Sequence, residues 1–326
     1  MLYKDLIYGD FEIEEPVIID LINSSAMQRL KGISQTGYTE PYFPNGDHSR
    51  FEHSLGVYLL LKKYGASIEE QIAGLLHDIS HGTFSHCLDY VFDEGDYKQE
   101  HQDNIFETFI KKTDIPNILQ KYGLDIDYII DDSHFPLKET VLPDLCADRI
   151  DYSLRTAFHY TTHSSKEISA LLEHLIIQDK KWIFTDLEFA KKYAELFYKM
   201  NSSYYSGIES AAMHQTVGDC LRYALKKGYL HADEFYTTDQ QVLEKITAHI
   251  ESDKQLNIYW QGMNNTFPYK NDPNDFDYHL FCKSRIVDPL FMDGKDMKRL
   301  SEVDAERKVI LEREMRPKKY FLRFEK

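Results

Sequence analysis

Residues 73–86 read AGLLHDISHGTFSH. The stretch begins inside an apolar helix. Ile68, Ile72, Leu75, Leu76 and Ile79 recur at helical spacing behind Ser67, and Glu70 stands three residues after that serine, as in a capping box. This run ends in an adjacent His77–Asp78 pair. Buried ionisable groups are costly without partners, so a His–Asp pair in an apolar run points to a shared ligand. His77 and His81 are four apart and lie on one helix face. Two imidazoles and a carboxylate near a helix end suit a divalent cation that takes mixed nitrogen and oxygen ligands. Gly82 and Ser85 then bend the chain, and His86 and Asp89 follow.

Outward from this centre the chain reads as helical. The spacing predicts helices over 20–30, 51–64, 105–112, 115–122, 145–157, 171–177, 187–201, 210–227 and 239–252, with a strand over 181–186. The segment 31–43 carries Gly32, Gly37 and Pro41 and reads as a loop. From about residue 255 the sequence turns polar and turn-rich. Strands are expected over 285–290 and 319–324, and a charged helix over 304–316. The expected fold class is mainly α, a helical bundle with a small α+β appendage. Its units are 1–254, with a motif core at about 50–156, and 255–326.

The histidines cluster. Six of the 14 (His48, His53, His77, His81, His86 and His101) fall within residues 48–101. A lone imidazole is more often a satisfied core or surface group than a ligand, and His134, His159, His163, His174, His231, His249 and His279 read that way. Composition removes other classes. Lys and Arg number 38 against 54 Asp and Glu, a net charge of −16 that disfavours nucleic acid as a partner. The four cysteines form no C-x-x-C pair, so a reducing compartment is the simpler reading. The N-terminus MLYKDLIYGD lacks the apolar stretch of a signal peptide. The longest aliphatic run, 57–61, is far short of the ~20 residues of a membrane span. A cytoplasmic protein without membrane association is expected.

RFEHSLGV (50–57), AGLLHDISHGTFSH (73–86) and ADRIDY (147–152), in that order, resemble the HD-domain metal-dependent phosphohydrolases. The resemblance is nearest to the branch containing deoxynucleoside triphosphate triphosphohydrolases, and it extends over about residues 5–230. It implies a helical HD bundle. It implies that His53, His77, Asp78 and Asp148 hold one divalent ion, with Mn, Fe, Ni or Zn expected and Mg or Co serving in vitro. Such an ion polarises a phosphoryl oxygen and lowers the pKa of water. The resemblance further implies that His81, His86 and Arg50 act at phosphate. It makes His101, oriented by Asp89, the proton donor to the leaving group. Gln35, Arg149 and Tyr152 fall on the substrate side.

Three departures from the family pattern matter. Ser80 and Thr83 replace a glycine and a proline, and Thr156 replaces an aspartate that reads a sugar hydroxyl. The segment 201–218, where the family carries a basic cluster, has no Lys or Arg. The expected protein is therefore a metal-dependent hydrolase of a phosphate ester, most simply of a nucleotide, with few cations for a triphosphate. It would prefer fewer phosphates. A two-metal HD phosphodiesterase, with His81 and His101 as added ligands, and a non-catalytic nucleotide sensor are the alternatives. Relatives make a homo-oligomer the expected assembly.

Overall fold

Ser49 starts the central helix, Arg50–Lys63. Its hydroxyl accepts the Glu52 N–H, and the Glu52 carboxylate accepts the Ser49 N–H, a closed capping box. The helix is then buried on nearly every side from Arg50 to Leu61. It packs on the helix Ile68–Leu76, which Ser67 caps, and on the helix Ala147–His159. The latter approach depends on Gly56. A Cβ there would lie 2.0 Å from Asp151 Oδ1 and 2.2 Å from an Arg155 guanidinium nitrogen. In this computed structural model, which describes residues 1–92 and 101–325, the chain is mainly α, with three small sheets among the described residues.

Two apolar clusters form the core. The first gathers Leu55, Leu59, Leu75, Ile150 and Leu154 around the central helix. The second surrounds the helix Ile208–Lys226. There Val217 and Leu221 meet Val242, Leu256, Leu280 and Leu322 from the following helices and the C-terminal sheet. The strand Leu290–Asp293 also pairs in parallel with Lys181–Phe184, which ties the C-terminal segment to the helical part. No helix of the described residues is long and apolar enough to cross a membrane. All four cysteines are buried and unbridged.

Four expectations need correction. The strand expected over 285–290 is found instead at Leu290–Asp293. Residues 171–177 are not one helix. The helix is Ser165–Glu173, and Leu175–Gln178 is a strand in a hairpin with Lys181–Phe184. Asp179 and Lys180 both take positive φ (51° and 58°), the geometry of a tight hairpin turn, which outweighs the apolar periodicity. The helix expected over 20–30 is broken at Ser24. Its extended backbone ends Pro16–Asn23, and its hydroxyl caps Ser25–Arg29. A helix at Lys254–Met263, capped by Asp253, lies where turn-rich chain was expected. Leu256 and Met263 anchor it in the second cluster.

Candidate active site

The helix Ile68–Leu76 ends at His77, so His77 and Asp78 sit on the turn that leaves the bundle core. His53 comes from the central helix, and Asp148 from the first turn of Ala147–His159. The four side chains meet. His53 Nε2 lies 3.1 Å from His77 Nε2 and 3.0 Å from Asp148 Oδ1. His77 Nε2 is 3.4 Å from the same Asp148 oxygen, and each ring is 3.6 Å from an Asp78 oxygen.

The hydrogen bonds behind these atoms fix what the cluster needs. His53 Nδ1 is 2.7 Å from Asp151 Oδ2, and His77 Nδ1 is 2.7 Å from the Gly74 carbonyl. Both Nδ1 atoms therefore donate, and in the neutral rings both Nε2 lone pairs point inward. Two lone pairs and the Asp148 and Asp78 carboxylates converge, with Arg50 and His81 beside Asp78, and a divalent cation satisfies that set. Ligand atoms about 2.1 Å from a common ion stand about 3.0–3.4 Å apart at octahedral or tetrahedral angles, close to the 3.0–3.6 Å separations around His53 and His77. The residues fit a divalent metal.

The support beneath the cluster is a buried charge network. Asp151 Oδ1 accepts from Arg155 at 2.8 Å, and Arg155 reaches Asp5 of the N-terminal strand at 3.1 Å. Arg50 donates to Asp78 at 2.5 Å, to Ser85 Oγ at 2.7 Å and to the Gln35 carbonyl at 2.9 Å. Three of its five N–H bonds are thus spent on protein groups. Arg50 holds Asp78 in place as well as facing the cleft.

Burial opposes charge on His53, but the Asp148 and Asp151 carboxylates outweigh it and raise the ring to about 9. His77 also rises, against burial, chiefly through Asp78. Without a metal, protons fill the cluster. Because the folded pKa of His53 exceeds its usual 6.5, its contribution to stability is complete below pH 6.5 and lost as pH rises through about 9. The metal-free protein is expected to melt at a lower temperature at pH 9 than at pH 7, and loading with Mn or Zn should remove most of that slope. Metal uptake near pH 8 should release on the order of one proton per ion, read by calorimetry in buffers of different ionisation enthalpy. Uptake without proton release would contradict the ligand set.

The cluster lies at one wall of a cleft of about 780 Å³ that is also lined by Gln35, His81, His86, Tyr152, Thr156 and Arg285. His81 Nε2 stands 3.4 Å from Asp78 Oδ1, and burial, with Arg50 beside it, lowers its pKa to about 3. His86 is likewise held well below its usual range by burial and Arg50. Both shifts favour the neutral ring in the substrate-free protein. Ser80 and Thr83 add contacts that glycine and proline lack. Ser80 Oγ donates to Gln102 at 2.8 Å, and the Thr83 N–H donates to the Phe235 carbonyl at 2.8 Å.

The structure joins Asp89 and His101 through the backbone N–H, with the ring turned elsewhere. Asp89 accepts the His101 backbone N–H at 3.2 Å, satisfying a first-turn donor of the helix His101–Ile110. Its other oxygen is 3.2 Å from His86 Nδ1. The His101 ring instead stacks on Phe92 and bonds to the Tyr236 hydroxyl at 2.9 Å. Gln102, Asp103 and Phe106 of that helix line the cleft, and His101 is not among the lining residues. The imidazole backed by a carboxylate in the cleft is His86.

On the substrate side, Gln35 Oε1 and the Tyr152 hydroxyl are buried at the cleft without protein partners. Arg149 lines the cleft but is engaged, 2.9 Å from Glu139. Sequence reasoning missed His214, Lys283 and Arg285, which also line it. The premise that the cleft lacks added cations is thereby overturned, since the C-terminal segment supplies them where 201–218 does not. Asp151 was legible in ADRIDY, three residues after Asp148 on the same helix face. Nothing in the local sequence marks Arg285.

Comparison with known proteins agrees with this geometry. The HD domain family matches residues 50–156. The uncharacterized protein YdhJ of Bacillus subtilis is 35% identical over 91% of this chain and 91% of its own. The metal-dependent phosphohydrolase cns2 of Cordyceps militaris is 40% identical over 49% of this chain and 46% of its own. A deoxynucleoside triphosphate triphosphohydrolase SAMHD1 homolog of Dictyostelium discoideum is 28% identical over 74% of this chain. The chain spans about half the length of these last two relatives. A matched family domain that coincides with the converging His53, His77, Asp78 and Asp148 makes this chain a member of the HD-domain metal-dependent phosphohydrolases, near the branch of the deoxynucleoside triphosphate triphosphohydrolases.

Proposed function

We propose that the chain hydrolyses a phosphate ester of a nucleotide, with His53, His77, Asp78 and Asp148 as the metal ligands. The observation that carries this reading is the inward-facing set of four acceptor groups at the wall of a 780 Å³ cleft. That volume lies within the roughly 300–1,000 Å³ of ordinary small-molecule sites. A bound divalent ion would polarise a phosphoryl oxygen and acidify water. The protein groups do the rest. Asp151 and Gly74 fix the ring orientations, and Arg50 fixes Asp78. His86 Nδ1 is held by Asp89; an anionic phosphate in the cleft would favour the protonated ring, whose Nε2 proton then passes to the leaving oxygen. His81, beside Asp78, is the second imidazole at the phosphate end of the cleft. Gln35 and Tyr152 offer unpartnered polar atoms to the sugar and base, and the nucleotide assignment draws on the relative named for deoxynucleoside triphosphates.

The test is a metal-loaded screen against nucleoside mono-, di- and triphosphates, cyclic nucleotides and sugar phosphates. Nucleotide turnover is expected, and turnover confined to non-nucleotide esters would overturn the nucleotide reading. His86→Ala should keep its metal and lose about 10²–10⁴-fold in kcat, the usual worth of a general acid. His101→Ala should lose less than tenfold. A larger loss in His101→Ala than in His86→Ala would restore His101 as the donor.

A further inference from the structure

Phe84 and Ser85, the two residues before His86, both take positive φ, 56° and 47°. Residues with a Cβ resist that region, and bulky ones resist it most. Two in a row persist only where the surroundings over-determine the backbone. The segment 235–239, far from this turn in sequence, supplies the restraint. The Phe235 carbonyl accepts the Thr83 N–H at 2.8 Å, a bond that the family's proline at this position could not make. Asp239 Oδ1 accepts the next N–H, that of Phe84, at 2.7 Å. Gly82 allows the approach, since a Cβ there would lie 2.9 Å from the Phe235 carbonyl oxygen.

The same carboxylate holds the facing loop. Asp239 Oδ2 accepts the Ser34 N–H at 2.9 Å, and the Ser34 carbonyl accepts the Ser85 hydroxyl at 2.5 Å. Ser85 Oγ in turn accepts from Arg50 Nε at 2.7 Å. One carboxylate thus joins the loop that carries Gln35 to the turn that carries His86. Gly32 lets that loop close on Thr238, the cap of the helix Asp239–Thr247, because a Cβ at Gly32 would meet Thr238 Cγ2 at 2.6 Å. Asp239 itself is not among the residues that line the cleft. Burial pushes its carboxyl up to about 7, against the two N–H bonds that pull it down. Groups perturbed in this way cluster at functional sites.

We propose that Asp239 is a positioning residue: by holding the Phe84 and Ser34 N–H groups it keeps the Phe84–Ser85 turn closed and so aims His86 at the leaving oxygen. This rests on the phosphohydrolase reading above, with His86 as the proton donor. The two bonds of Asp239 go to backbone outside the metal cluster, so its effect falls on proton delivery and leaves metal binding intact. A side-chain amide offers one oxygen, and its NH₂ would face the second N–H with no acceptor between them. Asp239→Asn therefore opens one half of the clamp with little change of volume.

Dependence on the leaving group separates this role from general damage. p-Nitrophenolate leaves without a proton, whereas a ribose oxygen needs one. In metal-loaded protein, Asp239→Asn should lose at least about tenfold in kcat on the best nucleotide substrate and less than about threefold on p-nitrophenyl phosphate, with KM and metal content unchanged. His86→Ala should show the same split. Equal losses on the two esters in Asp239→Asn, or no split in His86→Ala, overturn the positioning role. Hydrogen exchange reads the clamp without any substrate. The Phe84 and Ser34 amides should exchange at least about tenfold faster in Asp239→Asn, with those of the helix Arg50–Lys63 unchanged. Unchanged exchange at Phe84 overturns the clamp. If Asp239→Asn shows no melting transition, Asp239→Glu, which keeps the charge but shifts it by one methylene, should give the same split and the same faster exchange, and the absence of both overturns the proposal. If the wild-type protein turns over no phosphate ester, the phosphohydrolase reading fails, and exchange alone decides whether Asp239 closes the turn.

Discussion

Asp148→Ala is expected to purify without metal and to lose at least about 10³-fold in turnover, the scale of several kcal/mol of lost transition-state stabilisation. Its Oδ1 is the atom that both imidazole Nε2 atoms approach, at 3.0 and 3.4 Å. With it gone, Asp78 is the remaining carboxylate of the four, and one of its oxygens is held by Arg50 at 2.5 Å. Asp78→Ala should also empty the site, but it leaves Arg50 buried without its carboxylate and should therefore destabilise the fold as well. The contrast is readable. Elemental analysis should find no ion in either variant, while thermal melting should separate them, with Asp78→Ala the less stable. Retention of a full equivalent of metal in Asp148→Ala would remove Asp148 from the ligand set.

Arg155→Met is expected to cost about 3–5 kcal/mol of stability, the usual penalty for breaking a buried ion pair from one side. Arg155 is 1% exposed, and it is the shared partner of Asp151 and Asp5, which are buried with it. Its removal strands two carboxylates in the core. A fall of several degrees or more in the melting temperature should follow, at about 2–4 °C per kcal/mol for a chain of this order of size. Asp151 also holds His53 Nδ1, so a loosened Asp151 should weaken metal affinity by about 10–100-fold. A variant as stable as the wild type would mean that Asp5 and Asp151 find another partner.

The His77–Asp78 pair was legible because its information is local, whereas His53 and Asp148 entered only through the family resemblance. His77 and Asp78 are adjacent on an apolar helix, and Asp148 begins a short run whose spacing also exposes Asp151. The central helix was legible from its apolar spacing, while its Ser49 capping box and its burial on nearly all sides emerge only in the structure. The parts that stayed hidden are long-range. Arg285 comes to the cleft through Asn201, 84 positions earlier, and Arg155 meets Asp5 across 150 positions. The surroundings of His101 were hidden for a different reason. An aspartate three residues after one histidine and twelve before another fits either imidazole, and a helix N-terminus in need of an acceptor settled which atoms it meets. The hairpin at 175–184 was hidden by Leu175, Ile176 and Ile177, whose apolar run serves helix and strand equally until the turn at Asp179 and Lys180 is known.

Metal content and nucleotide hydrolysis measured on one preparation, as purified, after stripping with a chelator and after reloading, test the assignment of this cluster most directly. About one transition ion per chain is expected, with turnover lost on stripping and regained on reloading with Mn, Fe, Ni or Zn. Turnover that persists undiminished in stripped protein, or a protein that takes up none of these ions, would contradict it.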